Sequence, residues 1–291
     1  MTLFEKNIFS LYGKKGKQWL RDLPNIIHAI SVDWNLSNLN PVNNLSYNYI
    51  LSGFQNNKPI ILKLSLDIDS LKQEFAALNA FSNYGCVKVL AQQDGALLLE
   101  RAIPGISLKS YFPSQESESI DIICNLIKKL HTAKIPENKF PSLKYWLGSL
   151  DKNWDIPINI LQKARETRDQ LLTTSSPSVL LHGDLHHDNI LKNGKDWVVI
   201  DPKGMIGEQA YETAAFIYNP IPELLDFENV VLKIKERIMK FGLILNIDPV
   251  RILNWCFVKA VHGWVCNLED DLDPTYFQNM TRLILPLLIL R

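Results

Sequence analysis

Apolar residues recur at helical spacing between residues 17 and 32, at Trp19, Leu20, Leu23, Ile26, Ile27 and Ile30. Pro24 interrupts them, so a kink or two short helices is expected there. After an Asn- and Ser-rich stretch at 35–44 the period changes. Residues 45–52 alternate as a strand does, 53–59 are turn-like, and 59–64 form a second strand. Two strands joined by a polar turn predict an antiparallel hairpin. Leu71, Phe75, Leu78 and Phe81 then share one face of a helix over 70–83. Two more strands, 87–92 and 96–100, flank the turn Gln93-Asp94-Gly95. Beyond residue 102 the spacing is helical, near 118–134, 158–173, 207–218, 223–241, 249–267 and 275–290. The one strand-like pair in that half is 179–182 with 197–201. This pattern predicts an α+β chain: a small antiparallel-sheet lobe with one packed helix at 1–101, a larger, mostly helical lobe at 102–291, and a short hinge between them.

Composition narrows the class. A hydrophobic share of 46% and a charged share of 21% belong to an ordinary folded soluble protein. Lys+Arg and Asp+Glu are both 31, so the chain as a whole carries no basic footprint for nucleic acid. Its 4 cysteines form no C-x-x-C pair, which argues against zinc and for reduced thiols in a cytoplasmic protein. Lys6, Lys14, Lys15 and Lys17 break up the N-terminal apolar residues, so a signal peptide is not expected. The C-terminal apolar run at 283–290 is too short for a membrane span and contains Pro286. A monomer or homodimer with a small-molecule partner fits these features.

The chemistry is concentrated between residues 179 and 201. His182, Asp184 and Asn189 stand at fixed offsets after an apolar run, and Asp201 ends a second run 17 positions after Asp184. Phosphoryl transfer from a nucleotide needs such a set, with a carboxylate beside the attacking hydroxyl and oxygen ligands for Mg²⁺. His182 is expected to hydrogen-bond the loop backbone. His186 and His187 either touch substrate or metal, or support the loop. Upstream, Lys63 sits in a strand from which it can reach the α- and β-phosphates, and Glu74 on the next helix can pair with it. No G-x-G-x-x-G is present, but backbone N–H groups of Asn44, Leu45, Ser46 and Tyr47 can cradle phosphate. The crossing segment offers the backbone of Glu100 and of Ala102 or Ile103 to adenine, though a plain linker accounts for these residues equally well.

The run His-Gly-Asp-Leu-His-His-Asp-Asn from His182 to Asn189, followed by Asp-Pro-Lys-Gly from Asp201, resembles the aminoglycoside phosphotransferase family, and within it the streptomycin 6-kinase and hydroxyurea phosphotransferase branch. The resemblance spans about 63–220. It implies a bilobal protein-kinase-like fold with ATP and Mg²⁺, Asp184 as catalytic base, Asn189 and Asp201 as metal ligands, and Lys63 as phosphate anchor. Asp-Pro-Lys-Gly in place of Asp-Phe-Gly, with no Ala-Pro-Glu after it, sets the chain apart from protein kinases. An aminoglycoside is a polycation, so carboxylates are expected around it. Candidates are Glu208 and Glu212, four apart on one helix face, and the cluster Glu269, Asp270 and Asp271, which also reads as a solvated helix end. Trp264 either stacks on a sugar or belongs to the core. The expected activity is transfer of the γ-phosphate to a hydroxyl of an aminoglycoside or aminocyclitol such as streptomycin. The alternatives are another amino-alcohol, a sugar or hydroxyurea as acceptor, or a pseudokinase that binds nucleotide as an interaction module.

Overall fold

The computed structural model describes residues 2–288 apart from Asn44, Asn138 and Ser176. Helix α1 (Leu3–Asp33) opens with a capping box, in which the Thr2 hydroxyl accepts from the Glu5 N–H and the Glu5 carboxylate accepts from the Thr2 N–H. The expected break at Pro24 falls instead at Gly13, whose φ of 53° lies in the left-handed region that glycine tolerates. Pro24 stays within the helix.

The chain then forms β1 (Leu36–Pro41), β2 (Tyr49–Gln55), β3 (Lys58–Leu64), α2 (Ile68–Ala80), β4 (Val89–Gln93) and β5 (Ala96–Glu100). The strands make one antiparallel sheet in the order β1-β2-β3-β5-β4. Its two faces follow from strand alternation. Leu51, Ile60, Leu62, Leu64, Ala96 and Leu98 pack beneath Phe4, Ile8, Leu23 and Ile30 of α1. Leu97 and Leu99 point the other way, toward Leu71, Leu78 and Phe81 and the core of the helical half. Each such buried leucine contributes about 2 kcal/mol. Lys63 shares that second side, and this is what aims a charged residue of a central strand into the cleft.

The larger half begins with β6 (Pro104–Ser107) and continues through α3 (Glu116–Leu130), α4 (Leu143–Trp146), α5 (Ile158–Thr173), β7 (Val179–Leu181), β8 (Ile190–Asn193), β9 (Asp196–Val199) and β10 (Met205–Gly207). It ends with α6 (Gln209–Ile217), α7 (Val230–Leu245), α8 (Pro249–Glu269) and α9 (Thr275–Ile284). The strand-like runs at 179–182 and 197–201 do not pair with each other. β7 pairs with β10, whereas β9 joins β8 and β6. The loop that carries His182, Asp184 and Asn189 is thus the link between two small ribbons. Among the described residues no helix is long and apolar enough to cross a membrane, and all 4 cysteines are free thiols.

Candidate active site

Four charged groups meet where the sheet faces the loop. Lys63 Nζ lies 2.6 Å from Glu74 Oε2 and 2.7 Å from Asp201 Oδ1, and Lys203 Nζ lies 3.1 Å from the other oxygen of Asp201. Lys63 and Glu74 are buried. Desolvation pushes the Lys63 pKa down, but Asp201 and Glu74 more than reverse it and the lysine stays charged. Desolvation likewise pushes the Asp201 carboxyl up, and the two lysines overcome it, holding Asp201 ionised well below the usual carboxylate range. Asp201 itself adopts φ 58°, a left-handed conformation that a non-glycine residue keeps only when its surroundings impose it. Backbone bonds on either side do so: Ile200 N–H to Asn189 O at 3.0 Å and Lys203 N–H to His182 O at 2.8 Å.

The loop between β7 and β8 is built around His182 and Gly183. The buried His182 ring donates from Nε2 to Ile200 O at 2.8 Å, which leaves Nδ1 to accept the Asp184 N–H at 3.3 Å. This is the backbone-holding role expected of it. Gly183 takes φ +85°, a backbone conformation that strains any side chain, and a Cβ there would also press on Met205. Lys259 of α8 reaches in to donate to Gly183 O at 2.7 Å. Asn189 Nδ2 donates to Asp184 O at 2.9 Å, committing the amide nitrogen and leaving the oxygen as the free end. Desolvation pushes the Asp184 carboxyl up, while His186, Lys203 and Lys259 bring it below its ordinary value, so it stands ready as an anion. His187 is a core residue, buried and stacked on Phe216 with ring centroids 3.8 Å apart.

Two cavities adjoin at Asp201 and Glu74. One, of about 360 Å³, runs from Val42 and Ser46 past Ile61 and Lys63 to Glu100, Ala102, Asn189 and Asp201. Ile103 is not part of it, since its N–H is committed to Asn193 Oδ1 at 3.1 Å; of the two alternatives for adenine, Ala102 is the one that faces the space. Asn44 lies outside the described residues. The second cavity, about 380 Å³, is walled by Asn48, Asp67, Asp69, Gln73, Trp146 and Lys203.

The expected acceptor carboxylates fare differently. Glu208 is buried, its oxygens taken by Arg251 Nε at 2.8 and 3.0 Å and by Trp255 Nε1. Glu212 is fully buried and accepts the N–H groups of His182 at 2.6 Å and Gly183 at 2.8 Å. Glu208 precedes the first residue of α6 with extended backbone, and Glu212 sits on the inward side of that helix, which is buried nearly all round and packs against α8, so neither reaches the cleft. Trp264 belongs to the core. Glu269 is exposed and paired with Lys152 at 2.8 Å. Asp270 lies near enough to the sheet lobe to help raise the Tyr12 and Tyr47 phenols, whose pKa burial lifts first. Sequence reasoning did not single out the side chains of Asp67, Asp69, Gln73, Trp146, Lys203 or Lys259. The signal for Lys203 was its place in Asp-Pro-Lys-Gly; for the others no local pattern marks the cleft.

The donor set suits a magnesium nucleotide. Mg²⁺ takes hard oxygen ligands, commonly one or two from protein with the rest from phosphate and water, and a carboxylate on Asp201 beside the free amide oxygen of Asn189 matches that.

These features agree with what the chain resembles. Residues 37–271 match the family described as aminoglycoside/hydroxyurea antibiotic resistance kinases. The streptomycin 3''-kinase of Klebsiella pneumoniae is 28% identical over 71% of this chain and 79% of its own length. The hydroxyurea phosphotransferase of Kitasatospora aureofaciens is 24% identical over 89% of this chain and 77% of its own. The crystal structure of aminoglycoside phosphotransferase APH(4)-Ia superposes with a TM-score of 0.68, covering 90% of this chain and 98% of that one at 12% identity, which establishes the bilobal, protein-kinase-like fold. The chain belongs to the aminoglycoside/hydroxyurea antibiotic resistance kinase family, whose members are small-molecule phosphotransferases.

Proposed function

We propose that the chain moves the γ-phosphate of ATP, with Mg²⁺, to a hydroxyl of a cationic, polyhydroxylated small molecule, an aminoglycoside or aminocyclitol such as streptomycin. The observation that carries this reading is the line Glu74–Lys63–Asp201, bonded at 2.6 and 2.7 Å, standing between two adjoining cavities with an ionised Asp184 on the neighbouring loop.

Lys63, fixed by Glu74, anchors the phosphates next to the bridging oxygens. The Ser46 loop covers them, and the backbone of Glu100 and Ala102 takes the adenine edge. Asn189 and Asp201 would hold Mg²⁺, which when bound neutralises charge on the transferring group. Asp184 orients the acceptor hydroxyl and receives its proton. The acceptor oxygen bonds to the γ-phosphorus while the bond to the β,γ-bridging oxygen breaks, and that electron pair leaves with ADP. The acceptor enters through the cavity lined by Asp67, Asp69 and Trp146. The carboxylates of Asp67 and Asp69 favour a cation over a neutral molecule such as hydroxyurea.

The test is ADP release from Mg-ATP against aminoglycosides, aminocyclitols, hydroxyurea and simple sugars, with Asp184→Asn as control. Turnover is expected on a cationic acceptor and a loss of about a hundredfold in the control. Binding of ATP with transfer to no acceptor would favour the pseudokinase alternative, and turnover on hydroxyurea alone would overturn the cationic assignment.

A further inference from the structure

We propose that Lys203 is a catalytic residue: its ammonium leaves Asp201 and holds a non-bridging oxygen of the γ-phosphate while that group is transferred. This rests on the phosphotransfer reading above and adds to it a second, mobile cation besides the Lys63 anchor.

The two lysines on Asp201 are built differently. Lys63 has 6% of its side chain exposed and is clamped between two carboxylates, so it is a fixed charge. Lys203 has 35% exposed, and its ammonium rests on one oxygen of Asp201 at 3.1 Å. Its backbone, in contrast, is held on both sides. The N–H donates to His182 O at 2.8 Å, and the carbonyl accepts from Gln73 Nε2 of α2 at 2.7 Å. A lysine with an anchored root and an open tip is a pivot.

Its reach covers the reacting centre. The side chain lines the second cavity together with Asp201. Its charge is also felt at the Asp184 carboxylate, so the ammonium stands within electrostatic range of both the metal-binding and the proton-accepting carboxylates. The carboxylates of Glu74 and Asp201 are balanced by the two ammonium groups. An arriving triphosphate competes for one of them, and only Lys203 lacks a second carboxylate partner to detain it among the described residues. In the transfer itself Lys203 keeps its protons and forms no covalent bond. It donates hydrogen bonds to the phosphoryl oxygens as the bond to ADP breaks, where charge is largest.

Lys203→Met removes the charge and keeps the stem. Its kcat is expected to fall by about a hundredfold, with the KM for ATP changed by less than about threefold and partial recovery in Lys203→Arg. A readout independent of turnover separates catalysis from scaffolding: affinity, by titration calorimetry, for Mg-ADP alone and for Mg-ADP with aluminium fluoride, the planar mimic of the moving phosphoryl group. Wild type should bind the fluoride complex more tightly than ADP, and Lys203→Met should lose about tenfold or more of that increment while binding ADP almost normally. Retention of the increment, or an equal loss in ADP binding, overturns the proposal, the latter showing that Lys203 only steadies Asp201. Absence of the increment in wild type would sink the phosphotransfer reading itself. Should Lys203→Met not fold, acetic anhydride labelling of the wild type with peptide mass spectrometry replaces it. Mg-ADP with fluoride must then shield Lys203 beyond what Mg-ADP does; equal labelling in the two overturns the assignment.

Discussion

Glu212 and Asp184 approach the same stretch of backbone from opposite sides. Glu212 stands behind the loop that carries Asp184, wholly buried, with its oxygens spent on the N–H groups of His182 and Gly183 and a weaker contact to His131 at 3.4 Å. Asp184 stands in front, with 37% of its side chain exposed. Both carboxyls lie below their ordinary pKa despite desolvation pushing each of them up. Glu212 is brought down mainly by His131, Asp184 by His186, Lys203 and Lys259. The difference lies in what remains unbonded. An acid whose oxygens are filled by backbone is part of the frame, and an acid with open oxygens at the cleft is available to a substrate.

Removing the rear carboxylate should cost the most. Glu212→Ala leaves two buried N–H groups without an acceptor and is expected to destabilise the fold by about 4 kcal/mol in urea unfolding. A loss below about 1 kcal/mol would mean that the loop does not depend on Glu212. The front carboxylate should give the opposite result: Asp184→Asn loses about a hundredfold in kcat while its unfolding free energy moves by less than about 1 kcal/mol. Acid distinguishes the two further. Because the folded Glu212 titrates below its ordinary value of 4.5, its contribution is fully present above that pH and disappears as pH falls through the lower folded value. The stability of Glu212→Gln should therefore fall less steeply than wild type below pH 4.5, measured by urea midpoints across the acid range. Parallel curves would reject the linkage. The smallest effect is expected on the surface, where the exposed Glu269–Lys152 pair makes Glu269→Gln worth less than about 0.5 kcal/mol in the same unfolding assay.

The contrast also marks what could be read from the chain alone. Lys63, Asp184, Asn189 and Asp201 were legible because phosphoryl transfer restricts residue type and spacing within short segments, and β3 has a period that sets the direction of Lys63. Glu212 lies on α6 as expected, whereas Glu208 precedes the helix with extended backbone, so the two do not share a helix face. Which way α6 turns Glu212 depends on α8 packing against α6, a contact 40 or so residues away in sequence that periodicity does not encode. The strand β1 escaped for a related reason: as a half-exposed edge strand with Asn38 at φ 52°, it carries no buried alternation to detect. The pairing of β7 with β10 and of β9 with β8 is a matter of topology, and short strands of three or four residues hold too little pattern to specify it. Lys203 lay in plain sight within Asp-Pro-Lys-Gly, but only the structure shows its ammonium on Asp201.

The segment of α1 before Gly13 is a cover for the sheet. Phe4 and Ile8 cover the outer face of the sheet, far from any reacting atom, yet Ile8 is as inaccessible to water as Ile60 beneath it. A truncation that removes residues 2–13 would leave Lys63, Asp184, Asn189 and Asp201 in place and strip Phe4 and Ile8 from the sheet, opening an adhesive apolar surface. The first turns of α1 therefore serve the molecule through burial and not through chemistry.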